Sequence, residues 1–234
     1  MDWQWLPGHL DDLGVATVQH LQLSLLPVVL GLVISLPLGI VSVRWRWTYP
    51  PIFGIANLLY AIPSIALFVF MSQYVTGLSV TSAIVPLALF TLSVLVPNVV
   101  DGLKQVPDPV RQAATAVGFG TLRRLMQVEL PIAVPVIVAG VRVATVASIS
   151  LGSVAGIMGL GGLGQLFQDG QQRAIPSEVF AGIVLTILLA FVCDIVLVLV
   201  QRALTPWNRA RSRAQRGTRK GAQEAQAAEQ GVAA

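Results

Sequence analysis

Charged residues are scarce in this sequence. Asp, Glu, Lys and Arg make up 11% of its 234 residues, whereas they make up about a quarter of an average soluble domain. Hydrophobic residues make up 55%, so a lipid bilayer is the natural solvent for most of the chain. We therefore expect an all-α membrane protein. Its net charge of +4 is unevenly distributed, and we interpret it as a determinant of topology, with no nucleic-acid partner.

Groups that could carry chemistry are also few. Cys193 is the only cysteine, which excludes a disulfide or a cysteine-based metal site within one chain. His9 and His20 have no cysteine or carboxylate pair at ligand spacing, and we expect no metal site. The motif G-x-x-x-x-G-K-[ST] does not occur, so the chain cannot hydrolyse ATP by a P-loop mechanism. We expect no catalytic residue and no cofactor in this chain.

Long apolar segments with at most one charge each predict five transmembrane helices, because about 20 apolar residues cross the hydrocarbon core. We place these helices near residues 13–43, 52–71, 80–100, 133–156 and 179–201. Residues 1–18 are predicted to be an extracytoplasmic lead, and residues 19–207 the transmembrane domain. Residues 208–234 lack apolar periodicity and are predicted to be a disordered cytoplasmic tail.

The positive residues orient these spans. With five spans, all of the 15 lysines and arginines except Arg142 and Arg173 lie on one side of the membrane. Positive charge accumulates in cytoplasmic segments, so that side is predicted to be cytoplasmic and the N-terminus extracytoplasmic. The chain is thus expected to be a multi-pass protein of the cell (cytoplasmic) membrane.

Residues 108–131, DPVRQAATAVGFGTLRRLMQVELP, form a charged, helix-forming segment between apolar ones. Asp108 is predicted to be the N-cap of a first helix, and Gly118 its left-handed C-cap. Thr121 is predicted to cap a second helix, which ends at Leu130-Pro131 because a residue before proline is pushed out of the α region. This two-helix elbow leaves two interpretations open. It is an amphipathic loop on the membrane surface or a knob that docks into a groove of a soluble partner.

Two charges fall inside the predicted spans. Arg142 and Asp194 lie at similar depths from the cytoplasmic side of their spans. Unpaired charges in a membrane cost several kcal/mol and mark functional sites by default. A structural ion pair between these two residues is the favoured interpretation.

The second predicted span carries the most polar residues. Asn57, Tyr60 and Ser64 are spaced to share one helical face, and Pro63 makes the helix breakable. Hydrogen bonding between helices and a lining of the substrate path explain this face equally well. The tyrosine ring offers a π face to a quaternary ammonium group.

Parts of the sequence resemble ABC-transporter permeases. Gln112-Ala113-Ala114, then Gly118, then Glu129-Leu130-Pro131 match the spacing of their coupling loop, which usually has Glu where Gln112 stands. Residues 60–67 (YAIPSIAL), 138–145 (VAGVRVAT) and 159–164 (GLGGLG) resemble the permeases of osmoprotectant uptake systems most closely. The resemblance extends over roughly residues 20 to 207.

The resemblance implies a type I ABC-importer permease bundle with a cytoplasmic two-helix coupling loop. It further implies a second permease chain in a homo- or heterodimer, ATPase subunits that bind ATP and Mg, and an extracytoplasmic substrate-binding protein. The solute implied is a quaternary amine such as glycine betaine, choline or carnitine. The predicted coupling residues are Arg111, Gln112, Ala113, Ala114, Val117, Gly118, Leu130 and Pro131. Val110 completes the apolar face of the first elbow helix.

The glycine-rich stretch has two interpretations. Gly159, Gly161, Gly162 and Gly164 formally match G-x-G-x-x-G, but they follow a membrane span and not a strand, which excludes a dinucleotide site. In the resembling permeases this region lies beside the translocation path, which suggests a gate. Close helix packing through small residues is the alternative.

Other functions remain open from sequence alone. An ABC importer for methionine or another amino acid would share the elbow and a similar glycine-rich stretch. A channel or secondary transporter working without an ATPase would need no docking elbow and would usually show internal repeats. A membrane scaffold or assembly factor is a further alternative.

Overall fold

The computed structural model describes residues 5–75, 77 and 79–206. Within these residues the chain is helical, and no strand is present. The helices are α1 (Trp5–Gly8), α2 (Leu10–Arg44), α3 (Tyr49–Ala61), α4 (Ser64–Tyr74), α5 (Thr81–Lys104), α6 (Asp108–Ala116), α7 (Thr121–Arg124), α8 (Leu130–Ala155), α9 (Gly164–Gln172) and α10 (Pro176–Leu204). The predicted tail of residues 208–234 lies outside the described residues.

The prediction of an all-α membrane bundle is confirmed. Three helices, α2, α5 and α10, are long and apolar enough to cross a bilayer, as is the continuous helix of residues 121–160. A fifth span requires α3 and α4 to be counted together. The first of these spans, α2, begins at Leu10, inside the segment predicted to be an extracytoplasmic lead.

The second span is bent, which corrects the prediction of one helix over residues 52–71. Helices α3 and α4 meet at an angle of 85°. Ile62 adopts an extended conformation with φ −68° and ψ 129°, because the ring of Pro63 disfavours the α region for the residue before it. Pro63 was expected to make this helix breakable, and the break lies at this residue.

The second elbow helix does not end at Leu130-Pro131, and this prediction was wrong. Residues Leu125–Glu129 form a π turn in which the N–H of Leu130 donates to the carbonyl of Leu125, and α8 follows without a break. Pro131 is the second residue of α8, and because it has no N–H it donates no hydrogen bond to the turn before it. The elbow is therefore joined rigidly to a membrane span.

Helix α5 lies at the centre of the bundle. In the most apolar 18 residues of α5, 61% of the residues are buried. The same stretch of α10 is only 6% buried, because this helix lies at the periphery. Leu87 and Leu95 of α5 are fully buried in separate clusters that also include residues of α2 and α8. A Cβ at Gly140 of α8 would lie 2.5 Å from Cβ of Asn98 in α5. Such contacts show how closely the backbones of small residues approach, as is common between membrane helices.

Candidate functional site: the elbow and the polar bundle interior

The first elbow helix, α6, stands free of the bundle. None of its residues is buried, and the side chain of Val117, which follows it, is 78% exposed. Gly118 has φ +91°, the left-handed conformation that favours glycine and ends a helix. Asp108 is the first residue of α6 and Pro107 occupies the N-cap position, so the predicted cap is displaced by one residue. Gly120, and not Thr121, precedes α7 at its cap.

The apolar face of α6 points into open space. Val110 is 36% exposed, and Ala113 and Gln112 are exposed as well. An exposed apolar face of a short helix is suited to docking into a groove of another protein. Ala114 is half-buried, so it contributes less to this surface.

Leu130 and Pro131 belong to a different environment from the rest of the predicted coupling residues. Leu130 packs against a core cluster that includes Val99 and Leu103 of α5 and Ala133 of α8. The structure thus separates the eight predicted residues into those on the free elbow surface and those at its attachment to the bundle.

Arg111 joins α6 to the bundle. Its Nη2 donates a hydrogen bond to the carbonyl oxygen of Leu103 in α5 at 2.7 Å. Its Nε lies 3.8 Å from Oε2 of Glu129. On the solvent side, its Nη1 lies 3.4 Å from Oδ1 of Asp108. One guanidinium group therefore links α6 both to the end of α5 and to the π turn that precedes α8.

Glu129 is the second member of this connection. Its side chain is 10% exposed and accepts a hydrogen bond of 2.8 Å from Nε of Arg124. Arg124 also donates through Nη1 to the hydroxyl of Thr115 in α6, at 2.9 Å. Sequence reasoning missed the roles of Glu129 and Arg124. Arg111 and Glu129 are 18 positions apart, and only the return of the chain through the elbow brings them together.

Arg142 and Asp194 lie in contact, with Nε and Oδ1 2.8 Å apart. Each side chain is 33% exposed. The contact links α8 to α10, which is otherwise held mainly by apolar packing. A guanidinium–carboxylate pair neutralises both charges inside the bundle, as an isolated charge would not be tolerated there.

The bend at Pro63 separates the residues predicted to share one face. Asn57 and Tyr60 lie on α3 and are exposed, whereas Ser64 begins α4 and is half-buried. The prediction of a common helical face was therefore wrong for Ser64. The ring of Tyr60 packs edge-on against Phe90 of α5, with centroids 6.1 Å apart, and more than half of the side chain remains exposed.

The glycine-rich stretch is tightly packed at its end and open at its start. A Cβ at Gly164 would collide with the backbone of Ser153, whereas a Cβ at Gly159 would meet nothing within 4 Å. Gly159, Gly161 and Gly162 all have positive φ angles, which side chains rarely adopt. The stretch thus combines close packing with a backbone path that only glycine follows easily.

Two residues of α2 lie against this stretch, and sequence reasoning gave them no role there. Gln19 binds Gly162, and a Cβ at Gly162 would lie 2.9 Å from Nδ1 of His20. The N–H of Gly162 donates to Oε1 of Gln19 at 3.3 Å. His20 is fully buried, and its Nε2 lies 3.0 Å from the carbonyl oxygen of Ile149 in α8. In the residues that the structure describes, no group of three metal-ligating side chains forms.

The fold and its free elbow define a membrane-embedded transport subunit. The chain belongs to the family of binding-protein-dependent transport system inner membrane components, whose profile matches residues 24–210. These proteins are the permease components of ABC transporters, so the resemblance seen in the sequence is confirmed.

Relatives of known name match most of the chain. It is 38% identical over 198 residues to the osmoprotectant import permease protein OsmW of Salmonella typhimurium, covering 83% of this chain and 92% of the relative. It is 32% identical to the choline transport system permease protein OpuBB of Bacillus subtilis, covering 87% and 93%. Among solved structures, an inward-facing MetNI methionine ABC transporter is similar with a TM-score of 0.72 and 25% identity, covering 82% of this chain and 96% of the other.

Proposed function

We propose that this chain is the membrane-spanning permease subunit of an ABC importer for a small osmoprotectant. The solute is a quaternary amine such as glycine betaine, choline or carnitine. The names of the relatives OsmW and OpuBB support this class of solute. Both are similar over more than four fifths of the chain, so the similarity includes most of the bundle.

The importer is assembled from several chains. Two ATPase subunits bind ATP and Mg²⁺ and dock on the elbows, which face the cytoplasm. A second permease chain completes the path, because the five spans of one copy are too few to enclose a solute. An extracytoplasmic binding protein delivers the solute on the side of the N-terminus. The positive residues of the cytoplasmic segments support this orientation.

The observation that carries the proposal is the rigid connection between a free docking surface and a membrane span. The apolar face of α6 is exposed, and Arg111 and Glu129 tie it to the helix that continues as α8. Closure of the ATPase dimer would move α6, and this connection would pass the movement to α8. The bundle then alternates between inward-open and outward-open states.

The coupling residues act mainly through packing. A surface salt bridge is worth only about 0–1 kcal/mol, so Gln112 in place of a glutamate removes little. The small side chains of Ala113 and Ala114 allow the backbone of α6 to lie close to its partner. Val117 and Val110 supply the apolar area that is buried on docking.

Tyr60 and Asn57 are proposed to line the solute path on α3. Both side chains are exposed in the single chain. The electron-rich face of the Tyr60 ring attracts a quaternary ammonium by cation–π interaction. The bent α3–α4 segment places this ring beside the central helix α5.

A second candidate is an importer of methionine or another amino acid. The similarity to the MetNI methionine transporter favours it. The sequence relatives cited above carry osmoprotectant names and match at higher identity, so the osmoprotectant is the first choice.

Uptake by cells that carry or lack this chain tests the proposal. Labelled glycine betaine, choline, carnitine and methionine are supplied separately. Cells that lack the chain and are complemented with it from a plasmid are the control. We expect uptake of a quaternary amine to depend on the chain and on cellular ATP. Methionine uptake alone would establish the second candidate. Uptake that persists after ATP depletion, or the absence of an ATPase from the purified complex, would exclude an ABC importer.

A further inference from the structure

A cavity of about 190 Å³ lies where the elbow joins the bundle. Four charged side chains line it: Arg44, Arg111, Arg124 and Glu129. Ile40 and Val43, in the last turns of α2, form part of its apolar wall. The lining side chains thus carry three positive charges and one negative charge. Asp108, which pairs with Arg111 on the solvent side, is not part of the lining.

The carboxylate does not satisfy all of these donors. Glu129 accepts its short hydrogen bond from Arg124. Nε of Arg111 is buried and forms no hydrogen bond, and it lies 3.8 Å from Glu129. Among the residues that the structure describes, Arg44 takes part in no ion pair. A buried donor without a partner is uncommon and requires an explanation.

The cavity lies at the end of α2, a helix long and apolar enough to cross a membrane. Arg44 is the last residue of α2. Trp45 and Trp47 follow it with exposed side chains, as is typical of residues anchored at a membrane interface. The polar end of the cavity is therefore at the depth of lipid headgroups, and its apolar wall is on the side of the acyl chains.

We propose that this cavity binds the phosphoryl headgroup of an anionic phospholipid. Guanidinium groups bind phosphate oxygens through paired, charge-assisted hydrogen bonds. Basic pockets between membrane helices on the cytoplasmic side are suited to such headgroups. The proposal takes the cytoplasmic side of the elbow from the proposed function.

A bound headgroup would join three parts of the molecule. Arg44 belongs to α2, Arg111 to the first elbow helix and Arg124 to the second. One phosphate between them would fix the elbow to α2, because in the described residues neither Arg111 nor Arg124 forms an ion pair with that helix. The lipid would then be a structural part of the path from the docking surface to the bundle.

Free inorganic phosphate offers the same oxygen atoms, and the apolar wall favours the lipid. Burying methylene groups of an acyl chain against Ile40 and Val43 stabilises a lipid by about 0.8 kcal/mol per CH₂, and inorganic phosphate gains nothing from this wall. The lipid is therefore expected to bind more tightly than inorganic phosphate, and this difference in affinity distinguishes the two sources.

Binding of defined lipids to the full-length chain tests the proposal. The chain is placed in phosphatidylcholine nanodiscs that contain increasing amounts of phosphatidylglycerol. Native mass spectrometry measures how much phosphatidylglycerol stays bound to the chain. Arg44→Gln removes one guanidinium without touching the contacts of Glu129. Arg46→Gln is the matched control, because Arg46 lies two residues away and outside the cavity. Val43→Trp fills the cavity and leaves every charge in place.

We expect phosphatidylglycerol to bind roughly tenfold more weakly to the Arg44→Gln chain, as for the loss of one charge-assisted hydrogen bond. Val43→Trp should weaken binding at least as much, and Arg46→Gln should not change it. The proposal is overturned if both arginine variants behave alike, or if phosphatidylcholine binds as well as phosphatidylglycerol. Displacement of the lipid by an equal concentration of inorganic phosphate would also overturn it, in favour of a simple anion site.

This experiment is independent of the proposed orientation. Both leaflets of the nanodisc have the same composition, so the side of the membrane on which the elbow lies does not affect the result. If Arg44→Gln lowers the yield of folded chain, Val43→Trp alone decides between binding and no binding.

Discussion

The guanidinium of Arg142 in α8 forms two parallel hydrogen bonds to the carboxylate of Asp194 in α10. Nε lies 2.8 Å from Oδ1 and Nη2 lies 2.9 Å from Oδ2. This forked geometry is the strongest form of a guanidinium–carboxylate contact. It connects α10 to α8. Helix α10 is peripheral, and only 6% of its most apolar 18 residues are buried.

Breaking this pair on one side should cost more than removing both partners. Asp194→Asn or Arg142→Gln leaves one unpaired charge in the membrane, which costs about 3 kcal/mol on insertion scales. The double variant leaves none and should be more stable than either single variant. Thermal unfolding in detergent and the yield of folded chain measure this. A double variant no more stable than the single ones would show that the pair contributes nothing.

A charge on the apolar face of α6 should abolish coupling without unfolding the chain. Ala113→Glu introduces a carboxylate into the proposed docking surface, where burial of an unpaired charge is unfavourable. We expect uptake and co-purification with the ATPase to fall about tenfold or more. Ala116→Glu, the same substitution at an exposed position outside the set Val110, Ala113, Ala114 and Val117, is the control. Equal effects of the two variants would argue against this face as the docking surface.

Removing the carboxylate of Glu129 should uncouple ATP hydrolysis from transport. Glu129→Gln leaves Arg111 and Arg124 without their common negative partner, with a stability cost of about 1.5–3 kcal/mol for one charge-assisted hydrogen bond. The ATPase would still bind to α6, so hydrolysis should continue while solute uptake falls. The number of solute molecules imported per ATP is the measured quantity.

Arg123 provides the control for that experiment. Its guanidinium contacts Gln127 at 3.1 Å and stacks on the ring of Phe119 at 4.5 Å, outside the contacts of Glu129. Arg123→Gln should leave the ratio of transport to hydrolysis unchanged. If Glu129→Gln lowers ATP hydrolysis and solute uptake by the same factor, the variant has a folding defect and is not uncoupled.

Gly164 should not tolerate even one added methyl group. The Cβ of Gly164→Ala would collide with the backbone of Ser153, and overpacking of this kind costs about 1–3 kcal/mol. Gly54→Ala is the matched control, because nothing lies within 4 Å of its Cβ and alanine is the better helix former by up to about 1 kcal/mol. Unfolding midpoints of the two variants should shift in opposite directions.

The Tyr60 ring should contribute to the apparent affinity for a quaternary amine. Tyr60→Ala removes a cation–π contact worth about 0.5–2 kcal/mol, so uptake at low solute concentration should fall between about twofold and thirtyfold. Tyr60→Phe keeps the ring and should transport nearly normally. The assay is made at equal expression levels, and unchanged uptake by the alanine variant would remove Tyr60 from the path.

The elbow shows what local rules can and cannot predict. The rule for helix C-caps predicts a left-handed conformation for Gly118, and its φ of +91° agrees with that rule. The rule for residues before proline predicts that the second helix ends at Leu130-Pro131, but the helix continues through the π turn over Leu125–Glu129. A change of helical register depends on several residues together, so a rule for one residue before a proline does not capture it.

The bent second span shows a limit of predictions from helical periodicity. The spacing of Asn57, Tyr60 and Ser64 fits one face only if the helix is straight. Pro63 redirects the chain by 85°, and Ser64 leaves that face. Periodicity describes a surface only as long as the helix continues.

The amino-acid sequence determined that this chain is embedded in a membrane, that it is helical, and that its exposed segment is a charged elbow. These properties follow from composition and spacing, which are summed over neighbouring residues. The tertiary structure alone decided that Arg111 meets Glu129, that Gly162 rests on α2, and that three arginines surround one cavity. Such contacts join residues far apart in sequence, and the packing of whole helices fixes them.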